Sequence, residues 1–306
     1  MNQQQIIKLL EEVIDAKSIR VDERMSKHTT FRIGGPADVF VTPQTEEELI
    51  ATIKLCHQAQ IPKWIIGHGS NLLVDDAGFR GVVIQIDKNL SDLVVEGTTI
   101  TAYAGTMLAR LANTALEEEL TGLEFAHGIP GTLGGAVTMN AGAYGGEMAD
   151  VLVKATVITP DGQCIELTKE ALELGYRTSI IEKKGYIVLK ATMQLQKGNR
   201  EAIQSQMKDF IERRKDKQPL EYPSAGSTFK RPEGYFAGKL IMDSGLRGYA
   251  IGGAKVSDKH CGFIINTGDA TCKDVRDLID YVKKEVAAKY SVTLETEVKY
   301  LRTQND

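Results

Sequence analysis

Hydrophobic and polar positions recur along this chain with two different periods. Ile6, Leu9, Leu10 and Val13 lie at helical spacing and predict a short amphipathic helix at the N-terminus. In FRIGGPADVFVTP the period falls to two, so Ala37, Val39 and Val41 read as a strand closed by Pro43. Thr45 followed by Glu48 is a capping box, which opens a helix through Leu49, Ile53 and Cys56 that stops before Pro62. Residues 62–66 then form a buried strand running into a glycine turn. Further strands are expected at 82–86, 94–96 and 100–104, followed by a helix from Thr106 to about Glu119. Strands dominate again from Val151 to Leu195, where Asp161-Gly162 supplies a hairpin turn. After Gly198 the pattern turns helical. Ile203, Met207, Phe210 and Ile211 mark one amphipathic helix, and Val275, Leu278, Ile279, Val282 and Val286 mark another over 274–289, capped by Thr271.

That change of pattern places a domain boundary near residues 196–200. It divides the chain into an N-terminal helical segment (1–28), a glycine-rich domain (29–198) and a smaller C-terminal domain (199–306), in a mixed α+β fold. At 306 residues each domain can bury its own core. The 37 Lys and Arg against 41 Asp and Glu give a net charge of -4, which excludes the basic field of a nucleic-acid binder and leaves local cation clusters for an acidic small molecule. Cys56, Cys164, Cys261 and Cys272 form no CxxC pair and no zinc spacing, so free thiols and no metal site are expected. No stretch approaches the roughly 18 apolar residues of a membrane helix, and the N-terminus lacks a basic start followed by an apolar block. A cytoplasmic protein with no membrane partner is expected.

Of the 29 glycines, nine fall in two clusters. The first is Gly67-His68-Gly69-Ser70-Asn71-Leu72-Leu73. The second runs from Gly128-Ile129-Pro130-Gly131-Thr132-Leu133-Gly134-Gly135-Ala136 to Met139-Asn140-Ala141-Gly142-Ala143-Tyr144-Gly145-Gly146. Glycine lets a loop adopt positive φ and approach a ligand closely, so that successive amides can face phosphate oxygens; such loops suit a dinucleotide pyrophosphate. A single GxG is more often a tight turn, but Ser70, Asn71, Thr132 and Asn140 add side-chain hydrogen-bonding capacity. Neither common nucleotide fingerprint applies. The third glycine of a dinucleotide motif would fall at Leu72, and Gly234 to Lys239 is one residue short of a phosphate loop and continues with Leu240 where Ser or Thr must hold magnesium.

GxGSNLL, EFAHGIPGTLGGAVTMNAGAYG, GYRTS, PSAGSTFKRP and LETEVKYL occur in that order. Together they resemble the FAD-binding domain of vanillyl-alcohol-oxidase-type flavoproteins and, more narrowly, the UDP-N-acetylenolpyruvoylglucosamine reductase family, over almost the whole chain from about Thr29. The resemblance implies a two-lobed FAD-binding domain of the PCMH type followed by a smaller α+β substrate-binding domain. It implies NADPH-dependent reduction of the enolpyruvyl ether of UDP-N-acetylglucosamine enolpyruvate through noncovalent FAD, in peptidoglycan precursor synthesis. A monomer of the family's shorter type, without an extra tyrosine-bearing loop, is expected, because little room separates the domain boundary from Ser227. An FAD-dependent sugar or alcohol oxidase on the same flavin fold is the alternative.

By the same resemblance, Gly67, His68, Gly69, Ser70, Asn71 and Leu72 of the first loop are expected to bind the cofactor. So are Gly128, Ile129, Pro130, Gly131, Thr132, Gly135, Ala136, Asn140, Ala141 and Gly142 of the second. Reducing an enolpyruvyl ether places negative charge beside a carboxylate and requires one proton on the carbon bearing the ether oxygen. Ser227 matches the family's proton donor; serine is a poor acid, so it must be held on a preorganised turn, for which Gly226 gives the backbone freedom. Arg177 matches the arginine on the substrate carboxylate, where a guanidinium binds two oxygens and keeps its charge. Tyr176, Arg214 and Lys217 are expected to contact substrate, the last two near its phosphates. Glu297 matches the C-terminal family carboxylate, although strand spacing alone puts Glu295 on the same side. Without the resemblance, Ser227 reads as a turn residue, Arg177 as a surface ion-pair partner and the 213–217 cations as complements to a helix dipole. Arg231 stands where many relatives have asparagine, so that contact is not transferred. His127 receives no role.

Overall fold

The computed structural model describes residues 1–303. Two compact units emerge, and they interleave in sequence: Met1–Val21, Val39–His68 and Gly81–Arg213 form one, and Asp22–Asp38, Gly69–Arg80 and Arg214–Asp306 form the other. The contiguous division expected near 198 therefore differs from the packing. Two short stretches, 22–38 and 69–80, belong with the C-terminal residues because the strand Leu72–Val74 pairs in parallel with Lys299–Leu301, a non-local pairing.

The first unit is built on a five-stranded antiparallel sheet in the order Cys164–Thr168, Leu152–Ile158, Ile187–Gln194, Thr99–Tyr103, Leu93–Glu96. Ile100 and Ala102 alternate inward along their strand as a half-buried sheet requires. The expected Asp161-Gly162 turn closes a hairpin, with Gly162 at φ +86 and the Thr159 N–H donating to Gln163 O at 2.8 Å. The helix Leu108–Glu117 buries Leu108, Leu111, Ala112 and Ala115, the spacing of one helical face. The helix Glu46–Gln58 buries Leu49, Ile53 and Cys56 as expected. Its cap differs in detail: Thr45 Oγ1 accepts from the Glu48 N–H, but the Glu48 carboxylate turns to the Gln44 N–H at 2.7 Å instead of the Thr45 amide. The strand Lys63–Ile66 lies parallel to the partner residues Val82–Gln85 and delivers the chain into the first glycine loop.

In the second unit the helix Cys272–Tyr290 buries Val275, Leu278, Ile279, Val282 and Val286 and begins with a full Thr271/Asp274 capping box. Ala250–Ile251, Ala254–Val256 and Ile264–Asn266 form an antiparallel sheet in that order. Asp76 adds a cap from elsewhere in the chain, its carboxylate accepting from the Cys272 and Lys273 N–H groups at 2.8 and 3.0 Å. Anionic oxygens at a helix start satisfy amides that have no intrahelical acceptor. Asp76→Ala is expected to destabilise the protein by about 1–2 kcal/mol, read as a lower melting temperature with the flavin-binding residues untouched.

All four cysteines are free thiols. Burial raises the Cys56 thiol to about 11, and burial with the Asp76 and Asp75 charges raises Cys272 to about 12, so both stay protonated and unreactive. No described helix is long and apolar enough to cross a membrane.

Candidate active site

The two glycine clusters meet within the first unit. A Cβ at Gly67 would lie 2.2 Å from Thr132 Oγ1, so only glycine permits this approach. Gln85 holds Gly67 from the other side, donating from Nε2 to its carbonyl at 3.2 Å. Thr132 is buried and bridges to Met107, while Leu133 and Gly134 donate to Thr106 O and Ala104 O at 2.8 Å each. Ile129 donates to Ala126 O at 3.1 Å, Pro130 and Gly135 are exposed, and Ala136 and Ala141 are buried, joined by the Ala141 N–H to Ala136 O bond at 2.8 Å. The backbone N–H groups of Gly128 and Gly131 make no hydrogen bond to the described residues. Beside them, His127 Nδ1 is buried with no partner among the described residues. Unpaired donors and an orphaned ring nitrogen around a glycine loop fit a polar, phosphate-bearing ligand.

Two residues expected on the cofactor have other work. Asn140 is fully buried; its Oδ1 accepts from the Ala149 N–H at 2.8 Å and its Nδ2 donates to Gly175 O at 3.2 Å. Asn71, in the second unit, donates from Nδ2 to Glu297 O at 3.1 Å and accepts from the Lys299 N–H at 3.0 Å through its own carbonyl. His68 is exposed, Gly69 takes φ +64, and the Ser70 and Asn71 N–H groups are unpaired among the described residues. Leu72 is buried in its strand.

Arg177 and Tyr176 occupy the tip of a tight turn closed by reciprocal Gly175 and Thr178 bonds of 3.0 and 3.3 Å. Tyr176 is exposed; Arg177 is half-buried, with its guanidinium 5.2 Å from the Tyr176 ring centre and donating to Gly142 O at 3.1 Å.

In the second unit Ser227 lies between two flanking segments. Gly226 precedes it at φ +76. Thr228 follows, 1% exposed, donating from its N–H to Gly262 O at 2.8 Å and accepting from the Ile264 N–H at Oγ1 at 3.0 Å. On the other side the Glu297 N–H donates to Thr228 O at 2.9 Å, and Lys230 donates to Glu295 O at 2.9 Å. Adjacent extended segments, bridged at Phe229 and Thr296, therefore bring Ser227 and Glu297 into one neighbourhood although seventy positions separate them. The two glutamates diverge: Glu295 is exposed and pairs with Lys230 at 3.2 Å, whereas Glu297 is half-buried. Arg231 lies over the Phe236 ring, 4.0 Å from its centre.

Of the basic run, Arg213 is engaged by Asp209 at 2.7 Å, Arg214 is half-buried and Lys217 exposed. The Lys217 charge acts on His260, a residue the sequence reading missed. His260 Nδ1 accepts at 3.1 Å from the N–H of Gly262, the residue whose carbonyl accepts from the Thr228 N–H. Burial first, and then the Lys217 charge, hold the His260 pKa below the usual histidine value, so the folded protein resists taking that proton. The unfolded chain binds it near pH 6.5, so this contribution to stability is present above about 6.5 and lost as the pH falls. Melting temperature is expected to drop between pH 7 and 5.5, and His260→Gln is expected to reduce that slope. Gln218 Oε1, next to Lys217, is also buried without a partner among the described residues. Nothing in the sequence marks Gln218 or His127, because an unmet hydrogen bond is a property of the packing.

Two glycine loops meet at Gly67 and Thr132 on an α+β scaffold, and residues 37–168 match the sequence pattern of the FAD binding domain family, which places the chain among FAD-binding flavoproteins. That of the UDP-N-acetylenolpyruvoylglucosamine reductase C-terminal domain matches residues 218–301. The chain is 55% identical over 301 residues to the UDP-N-acetylenolpyruvoylglucosamine reductase of Clostridium novyi, covering 98% of both chains. It is 56% identical over 300 residues to that of Lachnoclostridium phytofermentans, covering 97% of both. The crystal structure of the Thermus caldophilus enzyme superposes with a TM-score of 0.80 at 36% identity, over 93% of this chain and 100% of that one. This chain belongs to the UDP-N-acetylenolpyruvoylglucosamine reductase family.

Proposed function

We propose that this protein reduces the enolpyruvyl ether of UDP-N-acetylglucosamine enolpyruvate to the lactyl ether of UDP-N-acetylmuramate, with NADPH as the hydride source. Bound FAD supplies the hydride transfer from NADPH to the terminal methylene carbon. Residues 29–198 carry most of the FAD site and 199–306 most of the UDP-sugar site, a division that the extents of the two family matches, 37–168 and 218–301, support. The enzyme acts as a cytoplasmic monomer of the shorter type; among the described residues, no strand or further helix lies between Lys217 and Ser227.

The observation that carries the reading is that the segment of Ser227 runs beside the segment of Glu297, joined by the Glu297 N–H to Thr228 O bond of 2.9 Å and the Phe229–Thr296 bridge. Addition of a hydride to the methylene carbon leaves negative charge on the neighbouring carbon and its carboxylate. Arg177 binds that carboxylate and stabilises the charge. Ser227 Oγ–H delivers the proton to the carbon bearing the ether oxygen, and Glu297, half-buried on the adjacent segment, is the second group able to hold a proton there. Arg214 and Lys217 meet the phosphates of the UDP. An oxidase would leave Ser227 and Glu297 without a role.

The test is steady-state turnover with NADPH and the enolpyruvyl UDP-sugar, with the product identified by mass. Formation of a lactyl ether two hydrogens heavier than the substrate supports the reading. NADPH consumption only in the presence of oxygen, with the sugar recovered unchanged, contradicts it.

A further inference from the structure

The Arg177 side chain is long and flexible, yet the turn that carries it is fastened at several points to the C-terminal half of the second glycine cluster. Gly175 O accepts from Asn140 Nδ2 at 3.2 Å, Ser179 Oγ donates to Thr138 O at 2.6 Å, and the guanidinium itself donates to Gly142 O at 3.1 Å. Asn140 and Ser179 are both fully buried. Arg177 sits at φ +56, a left-handed conformation that costs a non-glycine residue about 1 kcal/mol or more and persists only where the surroundings enforce it. Asn140 itself lies at φ +45, which asparagine tolerates better than most residues.

From these contacts we infer that Asn140 is a positioning residue for the catalytic Arg177, acting with Ser179, and that its side chain is not a cofactor ligand. Its amide oxygen and nitrogen are engaged inside the protein, one by Ala149 N–H and one by Gly175 O, so it works as a bracket between the glycine-rich segment and the arginine turn. The bracket sets where the guanidinium stands when the substrate carboxylate arrives. Displacement of a catalytic group by about 1 Å can cost on the order of a hundredfold in rate, and an arginine released from its turn loses at least that much definition. The inference rests on the role proposed above for Arg177, and it specifies which half of the reaction responds: reaction with the enolpyruvyl sugar, not reduction by NADPH.

The experiment uses the FAD-loaded full chain carrying Asn140→Gly, which removes the bracket while suiting the positive φ, and separately Ser179→Ala, which removes one hydroxyl only. Four quantities are measured: FAD affinity, melting temperature, the rates of the two half-reactions under anaerobic conditions, and the calorimetric Kd for UDP-N-acetylmuramate. FAD affinity and the rate of flavin reduction by NADPH are expected within about threefold of the parent protein, while reoxidation by the sugar slows about tenfold to a hundredfold and product affinity weakens. In the double variant Asn140→Gly with Arg177→Met, reoxidation is expected to be no slower than in Arg177→Met alone, because both changes remove one interaction. Loss of FAD from a folded Asn140→Gly variant, equal slowing of both half-reactions, or full additivity in the double variant would overturn the inference. Should Asn140→Gly fail to fold, Ser179→Ala carries the same expectations at a smaller scale. If Arg177→Met reoxidises at the parental rate, the role proposed for Arg177 is wrong; if it is slow while Asn140→Gly and Ser179→Ala are both parental, the positioning inference alone is wrong.

Discussion

Replacing Ser227 with alanine is expected to leave FAD binding and reduction by NADPH intact and to slow reoxidation by the enolpyruvyl UDP-sugar about a thousandfold. The backbone around the residue gives this prediction its sharpness. Thr228 is held by Gly262 O, by the Ile264 N–H and by the Glu297 N–H, all in bonds of 2.8 to 3.0 Å, so removal of one hydroxyl does not move the segment. What the alanine variant loses is the proton. A variant that consumed the sugar at the parental rate would mean that the carbon takes its proton from another group or from water.

Arg177→Met is expected to have the second large effect, a fall of about a hundredfold to a thousandfold in kcat/KM, again confined to the sugar half-reaction. Methionine keeps part of the length and loses the charge, so the developing carboxylate charge is left without its partner. Arg177→Lys restores a charge but not the two-pronged geometry of a guanidinium, and its rate is expected to lie between the two. The turn around Arg177 is fastened through its backbone and through Ser179, so the melting temperature of both variants is expected to stay close to the parental value. Stopped-flow kinetics of the two half-reactions separates these outcomes; parental kcat/KM in Arg177→Met would remove Arg177 from the mechanism.

Much of the fold was legible locally. The Thr271 cap, the apolar face from Val275 to Val286 and the Asp161-Gly162 hairpin are each written in a few neighbouring residues, and each appears where its pattern puts it. The interleaving of the units was not. Leu72–Val74 reads as a short apolar run after a glycine loop, and nothing in it announces a parallel partner at Lys299–Leu301. The site divides the same way. Ser227, Arg177 and Glu297 were readable as chemical types at motif positions, and the choice between Glu295 and Glu297 had no local signal. It takes on physical content only when Lys230 is seen engaging the exposed Glu295. Asn71 and Asn140 show a different gap between sequence and packing. A polar side chain in a glycine loop reads as a ligand for the cofactor, but both amides complete hydrogen bonds inside the protein, to Glu297 O and Gly175 O. Buried amides must find partners, and the sequence does not say whether the partner is a ligand or a distant carbonyl.

The central claim is that the enolpyruvyl UDP-sugar is the oxidant of the reduced enzyme. The most direct measurement is anaerobic stopped-flow mixing of the NADPH-reduced protein with UDP-N-acetylglucosamine enolpyruvate, followed at the flavin absorbance. Rapid return of the oxidised spectrum with one UDP-N-acetylmuramate formed per flavin is the predicted result. A spectrum that stays bleached until oxygen is admitted, with the sugar unchanged, would contradict it.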